Sequence, residues 1–303
     1  MNAHPFDALA PSYDDDFTRT AVGRAQRRAV WRLVDDCFPA GGQVLELGCG
    51  TGVDAQRLAA RGLQVLATDA SPGMLAAARF AIEGGPHAAR VAFRAFDANR
   101  LADPVFLQRG RIDPAVLGLG ALGDDDSAFD GETSGDWTGT FALAADEPLR
   151  FDGALSNFGV LNCVDDLGAV LRGLALLLHP GADAVVVVMG RFVVSEWLWF
   201  GLRGRLRSAV RRLRPGGVPW RDLRIRYVTP GRLRRLARHA GFEVITTRGV
   251  GIAVPVSEAA GWMETRPRLM RALAGADRAL ERLSPAAWMA DHVAVRLRRT
   301  EKP

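Results

Sequence analysis

The hydrophobic pattern of the chain alternates between short, unbroken apolar runs and stretches with apolar residues every three or four positions. These are the signatures of buried strand and amphipathic helix. Residues 43–47 form an aliphatic run that ends in a glycine cluster and 54–61 follow at helical spacing, so the segment reads as strand, tight loop, helix. Further strands are predicted over 63–68, 91–96 and 153–156, with a helix over 72–82 between the first two. Helical spacing over 167–178 stops at His179-Pro180-Gly181, a helix-ending signal, before the continuous apolar run 184–189. Such a run suits a parallel strand covered on both faces. Beyond it the pattern predicts helix over 230–240, strand over 242–247, helix over 267–283 and a final strand over 292–298. Seven strands alternating with helices argue for an α/β fold, a doubly wound and mostly parallel sheet, with 1–303 forming a single domain.

Two stretches break the alternation. Segment 103–148 is rich in Gly and Asp, contains Asp124-Asp125-Asp126, and carries ten acidic residues against two arginines. Without a clear period it reads as a weakly ordered surface insertion, dispensable for folding because long surface insertions cost little closure entropy. Segment 191–222 is predicted to be a helical cap over a ligand site. It sets Phe192, Trp197, Leu198, Trp199, Phe200 and Leu202 ahead of Arg203, Arg205, Arg207, Arg211, Arg212 and Arg214, an apolar aromatic half before a basic half. A helix of this kind can lie on an anionic membrane surface. The competing expectation packs the tryptophans in the protein's own core and leaves the arginines as a solvated face. In a third, the acidic insertion masks the basic surface.

At 303 residues and 48% hydrophobic, the chain can bury a full core. No apolar run approaches the roughly 20 residues of a membrane-spanning helix, and the acidic N-terminus lacks the pattern of a signal peptide. The expected location is cytoplasmic, or membrane-peripheral if the cap binds lipid. Cys37, Cys49 and Cys163 lie far apart, so neither a disulfide nor a metal site is expected. The net charge of +5 comes almost entirely from arginine, Lys302 being the only lysine. That bias matches a GC-rich genome, and no nucleic-acid-binding motif accompanies it, so no nucleic-acid partner is expected.

The candidate chemistry begins at Glu46-Leu47-Gly48-Cys49-Gly50-Thr51-Gly52, where the first strand turns into the first helix. Glycines there let the backbone bend sharply and approach a ligand, with amide groups turned toward it. The spacing is ExGxGxG rather than the GxGxxG of dinucleotide sites. Asp69 ends the second strand and Phe96-Asp97-Ala98 ends the third. On these motifs, over roughly 6–98 and 151–190, the sequence resembles the class I S-adenosylmethionine-dependent methyltransferases, which have a Rossmann-like fold. The N-terminal Phe6-Asp7-Ala8-Leu9-Ala10-Pro11-Ser12-Tyr13-Asp14 resembles the quinone-methylating and related small-molecule branch. The resemblance implies S-adenosylmethionine as cofactor. Its methionine part would lie on Gly48, Cys49, Gly50 and Gly52, its ribose hydroxyls on Asp69 and its adenine amino group on Asp97. It also places Ala70, Met74 and Ala98 around the adenosine and gives Tyr13 a role in closing the site. Glu46 either touches the methionine ammonium or only caps the sheet end. The competing reading of Asp69 is an N-cap ahead of Ser71-Pro72.

Methyl transfer needs alignment of the acceptor with an already activated carbon and exclusion of water, with no catalytic triad. The ligand of an open α/β sheet lies at the carboxyl ends of its strands. Ser156-Asn157-Phe158-Gly159 is therefore where the methyl group is expected, with Asn157 and Phe158 as the catalytic candidates and Asn157 also against the cofactor. The stretch resembles the equivalent motif of small-molecule methyltransferases and departs from NPPY, so a small-molecule acceptor, lipid-like ones included, is expected. Asp291, His292 and Glu196 are the candidates for a general base, and none is assigned that role. Two other functions fit parts of the pattern: a nicotinamide-dependent oxidoreductase, and a non-catalytic adenosyl-binding protein at the membrane periphery.

Overall fold

The computed structural model describes residues 4–109, 117, 149–283 and 285–301. Its central sheet contains β1 (Gln43–Leu47), β2 (Gln64–Asp69), β3 (Val91–Ala95), β4 (Phe151–Ser156), β5 (Leu178–Met189), β8 (Phe242–Val250) and β9 (His292–Arg299). The spatial order is β3-β2-β1-β4-β5-β9-β8. Neighbours from β3 to β5 are parallel, and β9 runs antiparallel to both β5 and β8. Strand order reverses between β1 and β4, and it is at such a switch point that the loops beyond the strands part to leave a crevice.

The apolar run in β5 shows why the sheet is covered twice. Ala184, Val186 and Val188 belong to one core and Val185 and Val187 to the other, all fully buried, because successive side chains of a strand point to opposite faces. The first core is closed by α5 (Leu167–Leu176) and α8 (Pro230–His239) through Leu171, Leu174, Leu233 and Ala237. On the other face, α1 (Ala21–Val34), α2 (Val53–Ala60) and α3 (Pro72–Ile82) contribute Val30, Leu33, Ala55, Leu58, Leu75 and Ala78.

Two expectations are modified. The helix predicted over 167–178 ends at Leu176, and Leu178 already pairs with Phe151. Asp183 then pairs with Gly153, so 179–182 loop out of β5 as a bulge at His179-Pro180-Gly181, with Gly181 at φ +82°. The stop signal is real, but the chain turns directly into the sheet. In 103–148, α4 (Pro104–Arg109) is helical and Leu117 is fully buried in the core beside Leu101 and Leu149. Dispensability therefore does not extend to Leu117, and the rest of that insertion lies outside the described residues.

Segment 191–222 follows the end of β5. It contains α6 (Val194–Gly201), α7 (Leu206–Ala209), a 3-10 turn at Arg211–Leu213, and β6 (Val218–Trp220), which pairs with β7 (Leu223–Ile225) as a separate ribbon. Its last part is thus strand: Gly216 and Gly217 both take positive φ and end the helical run. Next to α1 pack α9 (Ala260–Glu264) and α10 (Pro267–Leu280) around Val22, Val254, Met263 and Met270. Among the described residues no helix is long and apolar enough to cross a membrane, and no group of three or more His, Cys, Asp or Glu is placed to hold a metal ion. Cys37, Cys49 and Cys163 are free thiols.

Candidate functional site

The loop between β1 and α2 crosses the end of β2 and is fastened to it. Gly48 and Cys49 donate their amides to the Thr68 carbonyl at 2.7 and 2.8 Å, and Gly50 donates to Asp69 Oδ2 at 2.9 Å. The expectation that these amides face a ligand is therefore corrected: they close the sheet edge instead. Gly48 has φ +72° and a Cβ there would stand 2.1 Å from Val160, whereas a Cβ on Gly50 (φ +53°) would meet nothing within 4 Å. The loop thus packs against Val160 at Gly48 and borders open space at Gly50. Cys49 is buried inside the loop, and burial pushes its thiol well above its usual range.

Asp69 organises the turn after β2. Its Oδ1 accepts from the Ser71 amide at 2.9 Å while Oδ2 holds Gly50, and the N-cap of α3 is Ser71 itself, whose hydroxyl accepts from Met74. Burial raises Asp69 above the usual carboxylate range, against the pull of these amides. Two oxygens offer about four lone-pair positions, so Asp69 can still accept from a vicinal diol. Asp97 is exposed one strand further on, accepting from the Asn99 amide and side chain at 2.8 and 3.0 Å. Ala70 is half-buried, and Met74 and Ala98 are buried around the same edge.

Glu46 is 1% exposed on β1, and its Oε2 has no hydrogen-bond partner. Burial, with the nearby Asp54 charge, pushes it well above the usual range. An unpaired buried acceptor costs free energy unless a ligand satisfies it. Here it lies at the base of the glycine loop, where an ammonium group would restore its charge.

The N-terminal segment lies across both loops. Asp7 Oδ1 accepts from Ser71 Oγ at 2.6 Å and the Gly73 amide at 3.0 Å, and Asp14 Oδ1 accepts from Thr51 Oγ1 at 2.7 Å. Asp14–Thr18 is a π-helical turn, a feature frequent at functional sites. Tyr13 precedes it, half-buried, its hydroxyl pushed up by burial against the opposing influence of Arg27. Phe6 packs on Trp220, ring centroids 4.8 Å apart, and Arg221 donates to the Pro5 carbonyl at 2.6 Å, so the same segment reaches the β6–β7 ribbon.

At the end of β4, Asn157 is buried with both ends of its amide engaged. Nδ2 donates to Asp54 Oδ2 at 2.8 Å and Oδ1 accepts from the Phe158 amide at 2.9 Å. Phe158 has φ +50°, a left-handed backbone that a bulky residue adopts at a cost of about 1–3 kcal/mol. Its ring meets Phe17 at 5.0 Å and His292 at 5.3 Å, both edge-on, and the Arg27 guanidinium at 4.9 Å. His292 Nδ1 lies 3.4 Å from Asp291 Oδ2. Asp291 also accepts from Gln26 Nε2 at 2.9 Å and pairs with Arg212 at 2.7 Å. Burial works against its ionisation, yet His292 and Arg212 prevail and hold it below the usual carboxylate range. Arg212 continues to Glu196 of α6 at 2.6 Å, so a buried chain of charges fastens 191–222 to the start of β9.

Two groups in this site, Asp54 and Phe17, escaped sequence reasoning. Asp54 accepts from Arg27 at 2.7 Å, Trp31 Nε1 at 2.6 Å and Asn157, tying α1 and β4 to α2. Its place two residues after Gly52 was a usable signal, but the partners that give it meaning are 23 to 103 positions away. Phe17 carries no local motif, and both it and His292, a base candidate already in the sequence, meet Phe158 only in the fold.

The set fits an adenosyl amino acid: a buried acid without a partner for an ammonium, a second acid with spare lone pairs for a diol, and apolar walls at Ala70, Met74 and Ala98. Residues 21–247 match a family model described as a methyltransferase domain. A demethylmenaquinone methyltransferase of Clavibacter sepedonicus is 39% identical over 99 residues, 32% of this chain and 38% of that protein's length. A solved SAM-dependent methyltransferase of Methanosarcina mazei is similar at a TM-score of 0.50 with 14% identity, covering 88% of this chain and 97% of its own. Phosphoethanolamine N-methyltransferase 2 of Haemonchus contortus, solved with S-adenosyl-L-methionine, is similar at a TM-score of 0.54 with 16% identity, covering 97% and 57%. The solved structures share the fold, the family model spans three quarters of the chain, and the protein belongs to the family of methyltransferase domains.

Proposed function

We propose that the protein methylates a small apolar or amphipathic acceptor, lipid-like in character, at the carboxyl end of β4. The observation that carries this reading is Phe158, held in a strained backbone by Asn157 with its ring among Phe17, His292 and Arg27. Strain of this kind persists only where surrounding structure enforces it, and it sets an aromatic wall where the switch point opens. S-adenosylmethionine supplies a methyl group on a positively charged sulfur. In the proposed arrangement Glu46 takes the ammonium, Gly48, Cys49, Gly50 and Gly52 shape the floor, Asp69 receives the ribose hydroxyls, and Asp97 the adenine amine. Tyr13 and its neighbours close the N-terminal side. Asn157 positions Phe158, whose ring with Phe17 keeps water from the reacting carbon and leaves alignment as the chain's main task. For a hydroxyl acceptor, His292 backed by Asp291 is placed to take the proton. The name of the Clavibacter relative, a methyltransferase for an apolar ring compound, supports the acceptor class over the 38% of its length that is matched.

The test uses S-adenosylmethionine labelled in its methyl group with a total metabolite extract, followed by partition between organic and aqueous phases. Protein-dependent label is expected in the organic phase, reduced at least tenfold by Phe158→Ala while S-adenosylhomocysteine affinity stays within threefold. Label confined to the aqueous phase, to nucleic acid or to protein would overturn the acceptor class.

A further inference from the structure

Segment 191–222 does not hold its arginines alike. Arg212 is buried between Glu196 and Asp291, and Arg211 bonds Glu196 at 2.9 Å and Glu258 at 2.6 Å. Both are committed to ion pairs, Arg212 inside the molecule and Arg211 half-buried at its rim, and so are the acids that could have neutralised the others. Between 197 and 210 there is no acidic residue at all. The junction of α6 and α7 projects into solvent there, with Leu202 84%, Leu206 67% and Leu198 59% exposed and Arg203, Arg205 and Arg207 exposed among them.

This surface continues onto a part of the chain some sixty residues later. Trp199 packs edge-on against Trp262 of α9, ring centroids 5.9 Å apart, with the Arg203 guanidinium 3.3 Å over Trp199 and that of Arg266 4.2 Å over Trp262. Trp262 is itself exposed. The two segments thus form one face of leucine tips with tryptophan–arginine pairs behind them. Isolated exposed leucines are ordinary on a protein surface; several on one projection, interleaved only with arginine, are not.

We propose that this composite face docks on an anionic lipid bilayer, with the leucines of the α6–α7 junction entering the acyl boundary and the Trp199–Trp262 pair and its arginines at the headgroups. The chemistry of each layer suits its depth. Apolar tips gain by leaving water, indole rings sit where one edge is apolar and the other wet, and arginine adds attraction to anionic headgroups. A second copy of the chain would bring like charges together at Arg203, Arg205 and Arg207, whereas an anionic surface complements them. Because α6 follows β5 at the carboxyl edge of the sheet, docking would turn that edge, where β4 ends at Phe158, toward the membrane. The proposal is independent of the acceptor's identity, since lipid binding needs no methyl transfer.

The experiment is co-sedimentation with vesicles of phosphatidylcholine alone and with about a third phosphatidylglycerol, at low and high salt. Two double variants accompany it, Leu202→Ser/Leu206→Ser and Arg205→Glu/Arg207→Glu, all at exposed positions and outside the proposed cofactor site. Retention of the melting temperature and of S-adenosylhomocysteine binding verifies their folding. The expected result is sedimentation with the phosphatidylglycerol vesicles, weakened by salt, and an at least tenfold lower partition coefficient for each variant. Failure to sediment at low salt overturns the proposal. So does sedimentation that both folded variants retain, or a dimer of the native protein that the same substitutions dissolve.

Discussion

The two ends of the active edge are held together in different ways. Around the glycine loop the bonds are short and local in the chain, and nearly all use backbone: Gly48 and Cys49 to Thr68, Gly50 and Ser71 to Asp69, Met74 to Ser71. At the other end, 191–222 is attached through side-chain charges taken out of water, Glu196 to Arg212 to Asp291, with partners up to 79 positions apart. The first arrangement rests on glycine and on two side chains, Asp69 and Ser71, that hold neighbouring amides. The second makes the attachment of the acceptor side depend on every member of a buried set, because removing one leaves the others unpaired.

The largest expected effect tests that dependence. Arg212→Ala removes the buried cation shared by Glu196 and Asp291, leaving Glu196 with Arg211 and Asp291 with Gln26 and His292, so urea unfolding is expected to show a loss of about 3 kcal/mol, with S-adenosylhomocysteine affinity within threefold of the native protein in what remains folded. Asp291 is held below the usual carboxylate range, so the stability it contributes is present at neutral pH and is lost as pH falls through that range toward its folded value. The variant should lose part of this acid sensitivity along with the stability, since His292 still faces Asp291. A loss under 1 kcal/mol would show the charge chain to be an unimportant surface of the attachment.

Packing alone provides the control. Leu117→Ala opens a cavity in the core under β4 and is expected to cost about 2–5 kcal/mol without changing cofactor affinity. An unchanged melting temperature would mean that 103–148 is dispensable throughout, as its composition suggests.

The glycine-loop end should respond in affinity. Asp69→Ala is expected to weaken S-adenosylhomocysteine at least tenfold by calorimetry, about 1.4 kcal/mol or more. The variant also frees the Gly50 and Ser71 amides, so Asp69→Asn, which keeps an acceptor oxygen, should recover part of the loss.

Glu46 gives the subtlest signature. Raised by burial in the free protein, it is expected to ionise when an ammonium arrives, so binding releases a proton and affinity rises with pH until the free-state value is passed. Glu46→Gln should flatten that rise. An identical pH profile in both proteins would show that Glu46 only caps the end of β1.

The same contrast explains what could be read before the fold was seen. The glycine loop and the strands on either side of it are encoded by neighbours in sequence, so period and spacing sufficed for them, and β1 and α3 match their predicted bounds. The bulge at 179–182 escaped because His179-Pro180-Gly181 signals the end of a helix without saying that Leu178 already pairs with Phe151. Asp54 and Phe17 were illegible for a different reason: an aspartate in a first helical turn and a phenylalanine have no local mark, and their place comes from partners brought by topology, as does the contact of His292 with Phe158. In 191–222 the arginines looked equivalent in sequence. Only the positions of Glu196, Glu258 and Asp291 divide them into an ion-paired two, Arg211 and the buried Arg212, and an exposed set.

Titration calorimetry of the native protein with S-adenosylhomocysteine, and separately with NAD, tests the central claim most directly. The account predicts one S-adenosylhomocysteine per chain, with affinity reduced by Asp69→Ala, and no heat from NAD, because a buried acid at the base of the loop suits an ammonium and opposes a pyrophosphate. NAD binding of comparable affinity, or S-adenosylhomocysteine binding indifferent to Asp69 and Glu46 alike, would contradict it.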